Sequence, residues 1–175
     1  MSDSKLQLHL LIDKDKIKER LERVSSTLED MYSGREITII MIMKGAFIFV
    51  ADLMRQLHIS ARLETICCSS YGERGIQKGD ITISDVDALQ LGGKHVLIID
   101  DIFDTGETLA KVFQKIQKKK PTSLKSLVLL SKDVPRHTDY YPDIVLFDIE
   151  DRFVVGYGLD YKEYYRGLPD IYAIT

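Results

Sequence analysis

Residues 96–109 read VLIIDDIFDTGETL. Four apolar residues lead into the adjacent carboxylates Asp100 and Asp101; a third carboxylate, Asp104, lies just beyond, and Thr105, Gly106, Glu107 and Thr108 follow. The two halves of this run suit different chemistry. A turn into a helix offers backbone N–H groups, the hydroxyls of Thr105 and Thr108, and a glycine that lets the backbone approach a ligand closely, which together make an anion site. Carboxylates repel an anion. They accept hydrogen bonds from sugar hydroxyls, or hold Mg²⁺ that also meets a diphosphate. A phosphorylated ribose carrying a second, Mg²⁺-bound phosphate group satisfies both demands. Helix capping explains Asp104 alone and leaves the acidic pair without a purpose.

Groups of this kind need a sheet end to hold them. A helix is predicted over 13–32, where Ile17, Leu21, Val24, Leu28 and Met31 recur at helical spacing and Gly34 supplies a stop. ITIIMIM (37–43) is continuously apolar, as in a strand covered on both faces. A helix over 47–57, strands over 61–69 and 96–100, a helix over 107–117 and a strand over 124–130 follow, and the last third holds the short runs DIVLFDI, RFVVGYG and IYAI. Strands alternating with helices predict an α/β fold around a mainly parallel central sheet flanked by helices. In such sheets ligands bind beyond the carboxyl ends of the strands, which is where the acidic pair falls. SYGERGIQKGD reads as an exposed loop, with ITISDVDAL as a short ribbon beside it.

The 175 residues suit one domain, spanning 1–175, with an ordinary 45% hydrophobic and 29% charged composition. A net charge of −3 gives no reason to expect a nucleic-acid or membrane partner, and Lys118, Lys119 and Lys120 read as a solvated helix end. Cys67 and Cys68 are neighbours, poor candidates for a structural disulfide, and fit a reduced compartment. The first residues lack the apolar region of a signal peptide, and no run approaches the roughly 18 apolar residues of a membrane span, so a cytoplasmic protein is expected.

The run at 96–109 closely resembles the phosphoribosyl-diphosphate binding motif of the type I phosphoribosyltransferases. Further segments resemble the hypoxanthine-guanine phosphoribosyltransferases in particular: MKGAF, SSYGERG, LLSKDVPR and FVVGYGLDYKEYYRGLP, which occur in the family order from about Met43 to the end. The resemblance implies the type I fold, with a small hood built mainly from 150–175 with the N-terminal segment, and a mobile active-site loop over about 70–82. It implies transfer of 5-phosphoribose from phosphoribosyl diphosphate to N9 of hypoxanthine or guanine, with Mg²⁺ as cofactor and a homodimer or homotetramer as the assembly.

Roles follow for the matching residues. Asp100 and Asp101 would engage the ribose hydroxyls and Mg²⁺. Asp104 would act as general base near purine N7, and Asp104, Thr105, Gly106, Glu107 and Thr108 would cradle the 5′-phosphate. Lys132 would donate to the purine 6-oxo group, favouring a carbonyl over the amino group of adenine. Phe153 would stack on the base, the backbone of Val154 and Asp160 would meet its edge, and the Asp160 carboxylate would hold a second Mg²⁺. Lys44, Gly45 and Arg166 would bind diphosphate, with a cis bond at Met43-Lys44. Arg136 would organise the 5′-phosphate loop or the diphosphate side. Ser70 and Tyr71 would begin a lid that keeps water from an oxocarbenium-like ribose.

The chain departs from the family pattern at the acidic pair, usually Glu-Asp and here Asp-Asp, and at Phe103, bulkier than the usual aliphatic residue and expected to pack toward the core. A regulatory protein of the same fold that binds RNA or DNA is the alternative. Such a protein should show a basic face, which the acidic balance opposes. Lys132 argues against a transferase for adenine, uracil or orotate.

Overall fold

The computed structural model describes residues 6–70 and 81–175. In chain order the elements are β1 (Leu8–Ile12), α1 (Lys14–Met31), β2 (Ile37–Met43), α2 (Phe47–Gln56), β3 (Ala61–Ser70), β4 (Ile81–Ser84), β5 (His95–Phe103), α3 (Glu107–Gln117), β6 (Ser123–Lys132), β7 (Ile144–Ile149), β8 (Val154–Val155) and β9 (Ile171–Ile174). The main sheet has the order β4-β3-β2-β5-β6-β7. Its pairs are parallel except for the β3–β4 edge. This is the α/β architecture expected from the alternation of elements.

The continuously apolar runs become the centre of the sheet because only a strand covered on both faces can bury all its side chains. In β2, Ile37, Ile39 and Met41 pack with α1 and α2, while Ile40 and Ile42 pack with α3. In β5, Leu97 and Ile99 face the first layer, and Val96 and Ile98 the second. The amphipathic stripe of α1 (Ile17, Leu21, Val24 and Leu28) is fully buried. Asp13 caps that helix, accepting from the Lys16 N–H at 2.9 Å, and the Lys14 N–H donates to Asp170 at 2.8 Å. The second bond ties the helix start to the far end of the chain.

A smaller antiparallel sheet, β1-β9-β8, joins both chain ends and packs over the α1–α2 face through Val154, Tyr157, Leu159 and Ile171. It is the hood of the expected fold.

Several features differ from the sequence expectation. β5 does not stop at Asp100; it continues to Phe103, because Asp100, Ile102 and Phe103 stay paired with Val128, Leu130 and Ser131 of β6. On its other side the pairing with β2 stops at Ile99. The loop expected over 70–82 is strand at both margins, since Ser70 pairs with Ile81 and Ser69 with Thr82. β1, absent from the predicted elements, forms because β9 offers it an edge. Among the described residues no helix is long and apolar enough to cross a membrane.

Candidate active site

The strand order reverses between β2 and β5: the chain moves outward to β3 from one and to β6 and β7 from the other. Their following segments therefore part, α2 to one face and α3 to the other, and a crevice opens between them. A cavity of about 490 Å³ lies there. It gathers Lys44 and Gly45 from the end of β2, Asp100, Asp101, Asp104, Thr105, Gly106 and Thr108 from β5 and the turn after it, and Asp160 and Arg166 from the hood.

The acidic pair sits where the β2 ladder has ended and the β6 ladder continues. Asp100 is 6% exposed, and its Oδ1 accepts the Asp101 N–H at 3.0 Å; Asp101 Oδ1 accepts the Ile102 N–H, also at 3.0 Å. Burial, reinforced by the neighbouring Asp101 charge, pushes the Asp100 carboxyl well above the ordinary carboxylate range. Burial raises Asp101 as well, opposed by its hydrogen bonds and by the Arg166 charge. Burial and the Asp100 charge likewise push the Cys68 thiol up to about 12, which keeps it protonated.

Gly45 is required by this packing. A Cβ there would lie 1.6 Å from Asp101 Oδ2, so the Lys44-Gly45 backbone can lie on the carboxylate only without a side chain. The Met43-Lys44 peptide bond is cis, as the resemblance implied. The hood closes on the same backbone: at Gly158 (φ +103) a Cβ would meet the Gly45 carbonyl oxygen at 2.1 Å.

On the other side of the cavity, Gly106 (φ +89) turns the chain from β5 into α3, and a Cβ there would press on Thr138 and Phe103. Phe103 is 1% exposed and belongs to the α3-side core. Arg136 lies over its ring, 4.6 Å from the centroid, and donates to the carbonyls of Phe103, Asp104 and Lys132. It thus ties the ends of β5 and β6 together beside Asp104. Glu107 opens α3 and meets His137 Nδ1 at 2.9 Å.

Lys132 lies outside the lining of the main cavity but is linked to it, with Nζ 3.5 Å from Asp104 Oδ2 and 3.6 Å from Asp151 Oδ1. Phe153 is 52% exposed and meets Tyr161 edge-on at 5.6 Å. Val154 is buried in β8 opposite Ala173. The Asp160 carboxylate is held by Arg166 at 2.7 Å and by the Glu163 N–H at 2.8 Å. Tyr71, like the body of the expected lid, lies outside the described residues. The sequence reading overlooked Asp151 and Glu163, which pair with expected ligand-binding cations. Glu163 lies within the segment FVVGYGLDYKEYYRGLP, but its pairing with Lys44, 119 residues away, leaves no local pattern.

No group of three or more His, Cys, Asp or Glu among the described residues could cage a metal. The buried Asp100 and half-buried Asp101 carboxylates instead fit the way Mg²⁺ is usually bound, by one or two carboxylates completed with water and substrate phosphates.

A parallel sheet with an acidic strand end at its switch point, hooded by both chain ends, is the architecture of the type I phosphoribosyltransferases. Residues 11–162 match the phosphoribosyl transferase domain family. The hypoxanthine-guanine phosphoribosyltransferase of Aquifex aeolicus is 41% identical over 170 residues, covering 96% of this chain and 95% of that protein. The hypoxanthine phosphoribosyltransferase of Trypanosoma cruzi, solved in complex with the product IMP, is 34% identical with a TM-score of 0.88, covering 100% of this chain and 97% of that one. A hypoxanthine-guanine phosphoribosyltransferase of Bacillus anthracis, solved with HEPES in the active site, gives 34% and 0.87 over 95% and 98%. The chain belongs to the hypoxanthine-guanine phosphoribosyltransferase family.

Proposed function

We propose that this chain is a purine-salvage enzyme that transfers 5-phosphoribose from phosphoribosyl diphosphate to N9 of hypoxanthine or guanine, giving IMP or GMP and diphosphate. The observation that carries the reading is the meeting, in one crevice, of an acidic pair, a helix-entry phosphate turn and two cations from separate elements. A phosphoribosyl diphosphate needs all of these: carboxylates for the ribose hydroxyls, the 104–108 turn for the 5′-phosphate, and Lys44, Gly45 and Arg166 for the diphosphate.

Mg²⁺, when bound, would neutralise the diphosphate and make it a better leaving group. Asp100 and Asp101 are its candidate ligands on the ribose side. Asp160 is proposed for a second ion. In the described structure Arg166 and the Glu163 N–H already engage its carboxylate. Asp104 would take the proton from purine N7, and its closeness to Lys132 sets base and carbonyl donor side by side. Lys132, with 12% of its side chain exposed and steadied by Asp151, would direct its charge at the 6-oxo group. Phe153 would stack on the base, with the Val154 and Asp160 backbone at its edge. Self-association as a dimer or tetramer is proposed with this reading, and sedimentation velocity distinguishes it from a monomer.

Purified protein with Mg²⁺, phosphoribosyl diphosphate and each of hypoxanthine, guanine and adenine tests the function. IMP or GMP should form, and AMP should not. Absence of nucleotide with both 6-oxopurines would sink the assignment.

A further inference from the structure

Glu163 lies against both cations assigned to the diphosphate. Its two carboxylate oxygens are each 3.2 Å from Lys44 Nζ, and Oε2 is 3.1 Å from Arg166 Nη2. The contact is presented by a tight turn. Tyr161 and Tyr164 exchange both backbone hydrogen bonds, at 3.1 and 3.0 Å, and the two residues between them, Lys162 and Glu163, take φ +50 and +68. Two successive positive φ angles mark a tight hairpin turn normally given to Asn and Gly, and here the chain spends it on a residue whose carboxylate reaches the cations. The Glu163 N–H is fastened to Asp160 at 2.8 Å. Lys44 and Arg166 hold the Glu163 carboxyl below its ordinary value, so it is charged.

We propose that Glu163 is an internal stand-in for diphosphate: its carboxylate holds Lys44 and Arg166 together before diphosphate arrives and is displaced when diphosphate binds. The proposal rests on the diphosphate role of these cations given above. A carboxylate and a diphosphate cannot share the same two cations without like-charge repulsion. Glu163 therefore weakens the hold on diphosphate, in the substrate and in the product, and keeps the two cations from repelling each other before the ligand comes. Both ion pairs are exposed on at least one side, which makes the latch easy to open.

Calorimetric titration of the full chain with inorganic diphosphate and Mg²⁺ tests this, comparing the parent with E163Q, E163A and K44A. E163Q and E163A should bind diphosphate at least about threefold more tightly. In E163Q the KM for phosphoribosyl diphosphate should fall while the KM for the purine stays constant. A merely structural Glu163 predicts no tightening, because glutamine keeps its shape and hydrogen-bonding reach. Unchanged or weaker affinity in both Glu163 variants, with K44A clearly weakened, overturns the displacement and leaves the diphosphate site standing. Unchanged affinity in K44A overturns the site itself and the latch with it.

Discussion

Asp100 is a carboxylate that the fold makes costly to ionise. An unfolded Asp releases its proton near 3.8, whereas the folded one, buried beside Asp101, keeps it to much higher pH. Stability therefore falls as pH rises from 3.8 through the raised value, and the penalty is complete above it. D100N should stabilise the fold at pH 8 and leave its stability unchanged at pH 3, when the carboxyl is neutral in both the folded and unfolded chain. Urea denaturation at the two pH values checks this, and an activity assay should show the stabilised variant impaired. Asp104 and Lys132 are proposed to act on the base. D104N should lower kcat by about 10²–10⁴-fold with little change in the KM for phosphoribosyl diphosphate, and near-parent turnover would remove its role as general base. K132A should narrow the preference for hypoxanthine over adenine, read as the ratio of kcat/KM values; an unaltered ratio would exclude Lys132 from base selection.

Between elements, the decisive contacts are close approaches at glycine backbone. The end of β2 lies on Asp101 at Gly45, and the hood lies on Gly45 at Gly158. The three parts of the site are thus stacked, and an added methyl anywhere in the stack moves ligand groups without touching the core. G158A should leave the far-UV circular dichroism native while lowering kcat/KM by about a hundredfold, the cost of a displacement near 1 Å. Retained activity would show that the hood is not held by this contact. The element boundaries carry the same lesson. β5 runs past its acidic pair because β6 continues to pair with it, which no local propensity for Asp would suggest.

For the molecule as a whole, the switch point of the sheet is what turns scattered motifs into a site. Residues from β2, β5 and the hood share one cavity only because α2 and α3 leave on opposite faces. The proposed metal dependence belongs to this scale, since a carboxylate pair would hold Mg²⁺ together with the phosphates of a substrate. Activity should vanish in excess chelator and return with added Mg²⁺. The apparent Mg²⁺ affinity should also weaken as pH falls, because the raised carboxyls of Asp100 and Asp101 must lose protons to bind the ion. Full activity under chelation would contradict the metal's role.

Much of this was legible in one dimension. Continuous apolar runs identify β2 and β5 because buried parallel strands leave no face for polar residues, and the periodicity of Ile17, Leu21, Val24 and Leu28 identifies α1. The acidic pair followed by Asp-Thr-Gly-x-Thr announces its chemistry because its parts are contiguous. What only the folded chain decided are contacts between distant segments. β1 exists because β9 offers it an edge, Gly45 is needed because Asp101 lies against it and Gly158 because the Gly45 carbonyl does, and Asp151 and Glu163 matter because of the lysines they reach. Short-range patterns record what a residue needs from its neighbours in sequence. A charge that finds its partner 119 residues away leaves no such record, since Coulomb attraction depends on distance in space alone.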